Sequence, residues 1–149
     1  MKQFTIKPLY SVGNIKFGME RSKVRELLGG YSEYKNRQDD SNTADCFDIC
    51  HVFYNESNGV EFVMFHMLDE IEIMWENKTL NHMAKGELIA LFQTLDENLV
   101  IEADGVSFES NKLGIACYFE MDIRFGEDGN EEEFEKLETI SVAVENYWR

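Results

Sequence analysis

Met19, Val24, Leu27 and Leu28 are apolar at relative positions 0, 5, 8 and 9, a spacing that gathers all four near one face of an α-helix. Met83, Leu88, Leu91 and Phe92 repeat the same spacing 64 residues later. The pattern predicts helices over 20–28 and 84–94. Glu20, Arg21, Lys23, Arg25 and Glu26 fill the remaining face of the first helix, and Gly29-Gly30 supplies its stop.

Beyond each helix the apolar period drops to two, the signature of half-buried strands. Ser57-Asn58 before Val60, Phe62 and Met64 matches Ser110-Asn111 before Leu113, Ile115 and Cys117, at an offset of 53. Leu68, Ile71 and Ile73 match Leu137, Ile140 and Val142, at an offset of 69. Strands are predicted near 31–36, 48–55, 60–67 and 70–76, and again near 98–103, 105–110, 113–123 and 137–147. The fold class is α+β: a tandem repeat of helix plus antiparallel β-sheet, helices packed on one sheet face and the other face partly open. The expectation is one domain, 1–149, made of repeats at about 12–78 and 79–149.

The changing offsets locate two insertions. One falls around Asn36–Cys46 and the other around Arg124–Lys136; both are acidic and are expected to be loops. A solvated loop with no role is the competing explanation for such charge runs.

Composition narrows the partners. Fourteen basic residues against 29 acidic ones give a net charge of −15, divided as −4 before residue 80 and −11 after it. Such a surface repels nucleic acid and anionic membranes and speeds encounter with a basic protein. No apolar run reaches the roughly 18 residues that span a bilayer, and Met1 to Tyr10 lacks the apolar stretch of a secretory signal. Cys46, Cys50 and Cys117 form no disulfide framework, so reduced thiols and a cytoplasmic location are expected.

Catalytic motifs are missing: there is no nucleophile elbow, phosphate loop, zinc-protease helix or dinucleotide fingerprint. His51 and His66 fall on adjacent predicted strands near Cys46 and Cys50, but one loose Cys-x3-Cys-His group lacks the second tight pair of a structural zinc site. A calcium loop read around Gly129 puts Arg124 and Gly126 where ligands belong. Neither metal nor cofactor is expected, and no enzyme activity.

The phrase at residues 14–29, NIKFGMERSKVRELLG, resembles a helix-opening phrase of small bacterial proteins in which a helix precedes antiparallel strands. In copy two Asn81 and His82 replace Phe17 and Gly18, and the closing glycine is lost. The duplication resembles the tandem architecture of β-lactamase-inhibitor-protein-like proteins. Size and acidity resemble the immunity proteins of contact-dependent inhibition and related bacterial toxin systems.

That resemblance implies an inhibitor that binds a basic toxin domain, a nuclease for preference, with carboxylates standing in for phosphates. The candidate partner-binding residues are Asp39, Asp40 and Asp45 in the first insertion and Glu127, Asp128, Glu131, Glu132 and Glu133 in the second. Glu70 and Glu72 on one strand, Tyr118 and Glu120 on another, and Glu145 and Tyr147 on a third complete an acidic, aromatic-studded sheet face. The alternative function is a small-molecule or peptide-binding module with a pocket between helices and sheet.

Overall fold

Residues 2–35 and 42–148 are described by the structure, a computed structural model. In chain order the elements are β1 (Lys2–Lys7), β2 (Ser11–Val12), β3 (Ile15–Lys16), α1 (Arg21–Leu28), β4 (Ser32–Lys35), β5 (Asn42–Cys46), β6 (Cys50–Tyr54) and β7 (Val60–His66). Then come β8 (Ile71–Trp75), β9 (Lys78–Thr79), a 3-10 turn (Leu80–His82), α2 (Lys85–Leu95), β10 (Val100–Ile101), β11 (Ser107–Ser110), β12 (Ile115–Phe125) and β13 (Glu131–Ala143). Two sheets result. The larger has eight strands in the order β10-β11-β12-β13-β7-β6-β5-β4, all antiparallel. The smaller is β3-β2-β1-β8-β9, with β1 and β8 parallel. The chain is thus α+β and mostly strand.

Strand register explains the core. Asp45, Val52, Val63, Val142, Ile115 and Ser110 stand side by side across six strands, and all six are buried. Beside them runs a second buried row: Cys50, Phe65, Ile140, Cys117 and Phe108. Directly paired residues share a face, so these rows define one inner face of the large sheet. Three elements cover it. Helix α1 binds it through Arg25 and Asp45, the small sheet through Phe4 against Phe65 at 5.1 Å, and α2 through Phe92 against Phe108 at 5.7 Å. Trp75 of β8 closes on Phe92 at 5.5 Å, which ties the small sheet to α2. Edge-to-face and tilted rings of this kind add to the apolar burial.

Helix α1 ends as its glycine pair predicts. Gly29 adopts φ +85° and its N–H donates to the Arg25 carbonyl. Val24 is the buried anchor of α1, whereas Leu27 is exposed. Helix α2 buries Leu88 and Phe92.

Several expectations need correction. The first insertion is not all loop: Asn42–Cys46 forms β5, and Asp45 lies fully buried within it. Asp39 and Asp40 lie outside the described residues. The second insertion is not a loop but the outer half of a β12–β13 hairpin, paired from Phe119 and Leu137 out to Phe125 and Glu131. Alternating side chains and a glycine-bearing turn hold it in register. The strand at 70–76 leaves the large sheet and pairs in parallel with β1, so Glu70 and Glu72 do not share the face of Tyr118. Strand β13 stops at Ala143, and Glu145 and Tyr147 sit in a terminal turn. In β7 a register shift opposite Phe53 and Tyr54 breaks the alternation, so Val60, Val63 and Phe65 point inward while Phe62 and Met64 point out.

Candidate partner-binding surface

The hairpin arm is built from a pattern that extends the core rows past the end of the core. On β12, Ile115, Cys117 and Phe119 are buried, and the same face continues as Met121, Ile123 and Phe125. Those three are 60%, 56% and 74% exposed. Their cross-strand partners on β13 are Glu135, Glu133 and Glu131. An apolar stripe therefore runs along the arm with a row of carboxylates directly beside it. Contiguous exposed apolar surface rimmed by charge marks an interaction site more often than a solvated ornament.

The other face of the arm carries Tyr118, Glu120, Asp122 and Arg124 opposite Thr139, Lys136, Phe134 and Glu132. Arg124 lies 3.5 Å from Glu132, with its guanidinium 5.0 Å above the Phe134 ring. At the tip, the Gly129 N–H donates to the Gly126 carbonyl and the Gly126 N–H to the Asn130 carbonyl. Asp128 accepts from both the backbone and the side-chain amide of Asn130, which lowers its pKa below the usual carboxylate range. The root is fixed by Lys85, the first residue of α2, whose ammonium bonds Glu135 and the Gly105 carbonyl. From Phe119 to Leu137 eight carboxylates face two cations, a net charge of −6 out of −15 for the chain.

The outer face of the large sheet adjoins the arm. Its half-exposed side chains include His51, Phe53, Phe62, Met64 and His66, and Tyr118 on this face is 40% open. His66, Thr139, Tyr118 and Ser107 form one cross-strand row on this face. His51 meets His66 edge-on at 5.0 Å; burial first, and the neighbouring imidazole second, lower its pKa. Tyr147 stacks on Phe62 at 4.8 Å and 21°, and burial raises its pKa. A hollow of about 150 Å³ lies between Tyr118 and Glu109, floored by Ala116 and Ser141. Burial there, with Glu102 nearby, raises the pKa of Glu109.

The structure brings together Glu120, Glu127, Asp128, Glu131, Glu132 and Glu133 on the arm, with Tyr118 at its root. Tyr147 shares the outer face two strands away, and Glu145 is exposed beside it. Glu72 belongs to the small sheet, where it accepts from Gln3 Nε2 at 3.3 Å and lies 3.9 Å from His82, and Glu70 sits in the turn just before β8. Asp45 is removed from any surface: Arg25 and Tyr54 hold it. Sequence reasoning missed Met121, Ile123, Phe125 and Glu135. The alternation of residues 121–125 is the available signal, although the predicted strand ends at 123.

Other chemistry is sparse. Among the described residues no group of three or more His, Cys, Asp or Glu is arranged to hold a metal. Cys50 and Cys117 are buried, and burial pushes the Cys50 thiol up to about 12. Among the described residues no helix is long and apolar enough to cross a membrane. A cavity of about 670 Å³ lies between β1, the β2–β3 turn and the end of α1, with Phe4, Ile15, Leu28 and Phe47 in its wall. No family model matches the chain, and neither a curated protein nor a solved structure matches it.

Proposed function

We propose that this protein is a cytoplasmic immunity protein, a stoichiometric inhibitor that captures a basic toxin domain, most simply a nuclease. One observation carries the reading: the β12–β13 arm sets an exposed apolar stripe beside Glu131, Glu133 and Glu135. An apolar centre with a charged rim is how proteins recognise proteins. The sign of the rim selects a cationic partner and accelerates its approach. Carboxylates at the arm tip, Glu127 and Asp128, would occupy the places a nuclease keeps for phosphates.

The fold supports the same reading through its plan. We read it as a duplication: α1 leads into the meander β4–β7, α2 into the meander β10–β13, and β7 and β13 join the two antiparallel. A permutant opened in the β8–β9 turn, with its old termini linked, keeps each unit intact. Its failure to fold cooperatively would count against the units.

The deciding experiment titrates the protein into the basic C-terminal domain of a toxin encoded immediately upstream. Loss of that domain's activity at one equivalent, with an association rate that falls steeply as salt rises, supports the reading. Undiminished toxin activity at excess protein sinks it. A second reading, a small-molecule binder, draws on the cavity of about 670 Å³, whose size and part-apolar wall suit a ligand. A ligand-dependent rise in melting temperature that Leu28→Glu abolishes would favour it.

A further inference from the structure

Strand β13 is paired on both sides for only part of its length. Toward β7 the ladder covers Thr139–Ala143, and a last bond runs from the Met67 N–H to the Glu138 carbonyl. Glu138 is the extra residue of a bulge, since Tyr118 pairs with Thr139 and Phe119 with Leu137. A bulge at this point turns the strand and ends the pairing. Among the described residues, 131–136 therefore have no backbone partner on their second edge.

That edge does not face open solvent alone. A cavity of about 570 Å³ lies along it, with apolar walls from Met67, Leu68, Met83 and Phe134, and Asp69 and Glu87 at its border. The cations that border it already have carboxylate neighbours: Arg124 lies beside Glu132, and Lys136 stands across from Glu120. An exposed edge strand recruits another strand unless something prevents it. A second copy of this chain is disfavoured by charge, because two arms of −6 each would have to lie side by side. The same charge attracts a cationic strand.

We propose that residues 131–136 take up an extended segment of the basic partner as an added strand of the large sheet. Resting on the toxin-inhibitor reading, the inference specifies its mode of contact. Main-chain bonds to β13 supply the affinity; alternate side chains supply the choice of partner. Apolar side chains of the segment rest on Met67, Leu68 and Met83. Lysine or arginine side chains between them reach Asp69, Glu87 and the arm glutamates.

The probe is an end-capped peptide of alternating lysine and valine, followed at low salt by amide hydrogen exchange and by calorimetry. The expected result is exchange slowed about tenfold or more across 131–136, with residues 115–118 unchanged. N-methylation of alternate peptide residues, which removes donors from one edge, should weaken binding at least tenfold. Asp69→Lys, an exposed change, should weaken it by a similar factor while the melting temperature holds. Equal binding of the N-methylated peptide, protection confined to the outer face around Phe62 and Met64, or no binding at all would each overturn the added strand. The basic toxin domain is run in parallel. If it binds and is inhibited without protection of 131–136, the strand model falls while the inhibitor reading stands; if it does not bind, the inhibitor reading falls.

Discussion

The guanidinium of Arg25 grips the buried carboxylate of Asp45 with two parallel bonds, Nε to Oδ2 and Nη2 to Oδ1, each 2.8 Å. The Tyr54 hydroxyl donates to the same carboxylate at 3.0 Å, and Arg21 Nε approaches to 3.6 Å. Asp45 is the last buried residue of that inner-face row, so this pair helps pin α1 to the edge half of the sheet. The bond to Asp45 raises the pKa of Arg25 further, keeping it charged at every working pH.

Removing the carboxylate should therefore be costly. Asp45→Ala leaves two arginines facing an empty site and strands the Tyr54 hydroxyl. The loss should be about 3 kcal/mol, the low end for a broken buried pair because the Arg25 side chain keeps 23% of its exposure. Urea unfolding measures it. The double change Asp45→Ala, Arg25→Met should recover part of the loss, which a double-mutant cycle resolves. A loss below about 0.5 kcal/mol would mean the pair is ornamental.

Binding and stability should separate on the arm. Met121→Thr, Ile123→Thr and Phe125→Thr keep strand propensity and remove only exposed apolar surface. Each should shift stability by less than about 0.5 kcal/mol, yet the three together should weaken the toxin domain's affinity by about a hundredfold or more. Glu131→Gln with Glu133→Gln should act differently, slowing association and flattening its salt dependence while dissociation changes little. Surface plasmon resonance at several salt concentrations distinguishes the two effects. If affinity stays put for the apolar triple variant, the stripe is not the contact.

The helices were legible because a helix needs only local spacing. Val24, Leu88 and Phe92 lie inward as the pattern requires, and Gly29 stops α1 where two glycines meet. Strand partners were less legible, because pairing is chosen by the whole chain. Leu68, Ile71 and Ile73 read like Leu137, Ile140 and Val142, yet β8 joins β1 while β13 joins β7. A single inserted residue did similar damage: the irregularity near Glu61 turned Phe62 and Met64 outward against their period. For the site, charge pointed to the arm but concealed its nature. Residues 124–136 look like solvated loop by composition, and only cross-strand pairing lets Met121, Ile123 and Phe125 act together. Asp45 shows the opposite error, an acid counted as surface charge that two arginines had drawn inside.

His51 should make stability depend on mild acid. Its folded pKa lies below the ordinary 6.5 because burial and His66 oppose its charging. Below about pH 6.5 the unfolded chain takes up a proton that the folded chain resists, so stability drops as pH falls toward the folded value. Protonation of the many carboxylates also changes stability, so the useful quantity is the difference from His51→Gln. That difference should shift against the wild type as pH falls from 7 through 6.5 and level off once the pH is below the lowered folded value. A constant difference across that range would remove His51 from the account.

Glu109 should show the reverse dependence on the same sheet face. Its folded pKa lies above the ordinary 4.5, because it is part-buried beside the hollow and Glu102 adds a second negative charge. Near neutral pH the folded protein thus holds an anion less comfortably than the unfolded chain does. Below pH 4.5 both states carry the proton and the penalty vanishes. Glu109→Gln should therefore melt higher than the wild type at pH 7, with the gap closing as pH falls through the raised value toward 4.5. Glu102→Gln should narrow the gap at pH 7 without touching the residue itself, since it removes the second cause and leaves the first. Thermal melts of the three proteins at half-unit pH steps read all of this. A Glu109→Gln variant that melts lower at pH 7 would show that the carboxylate serves as a hydrogen-bond acceptor worth more than its confinement costs.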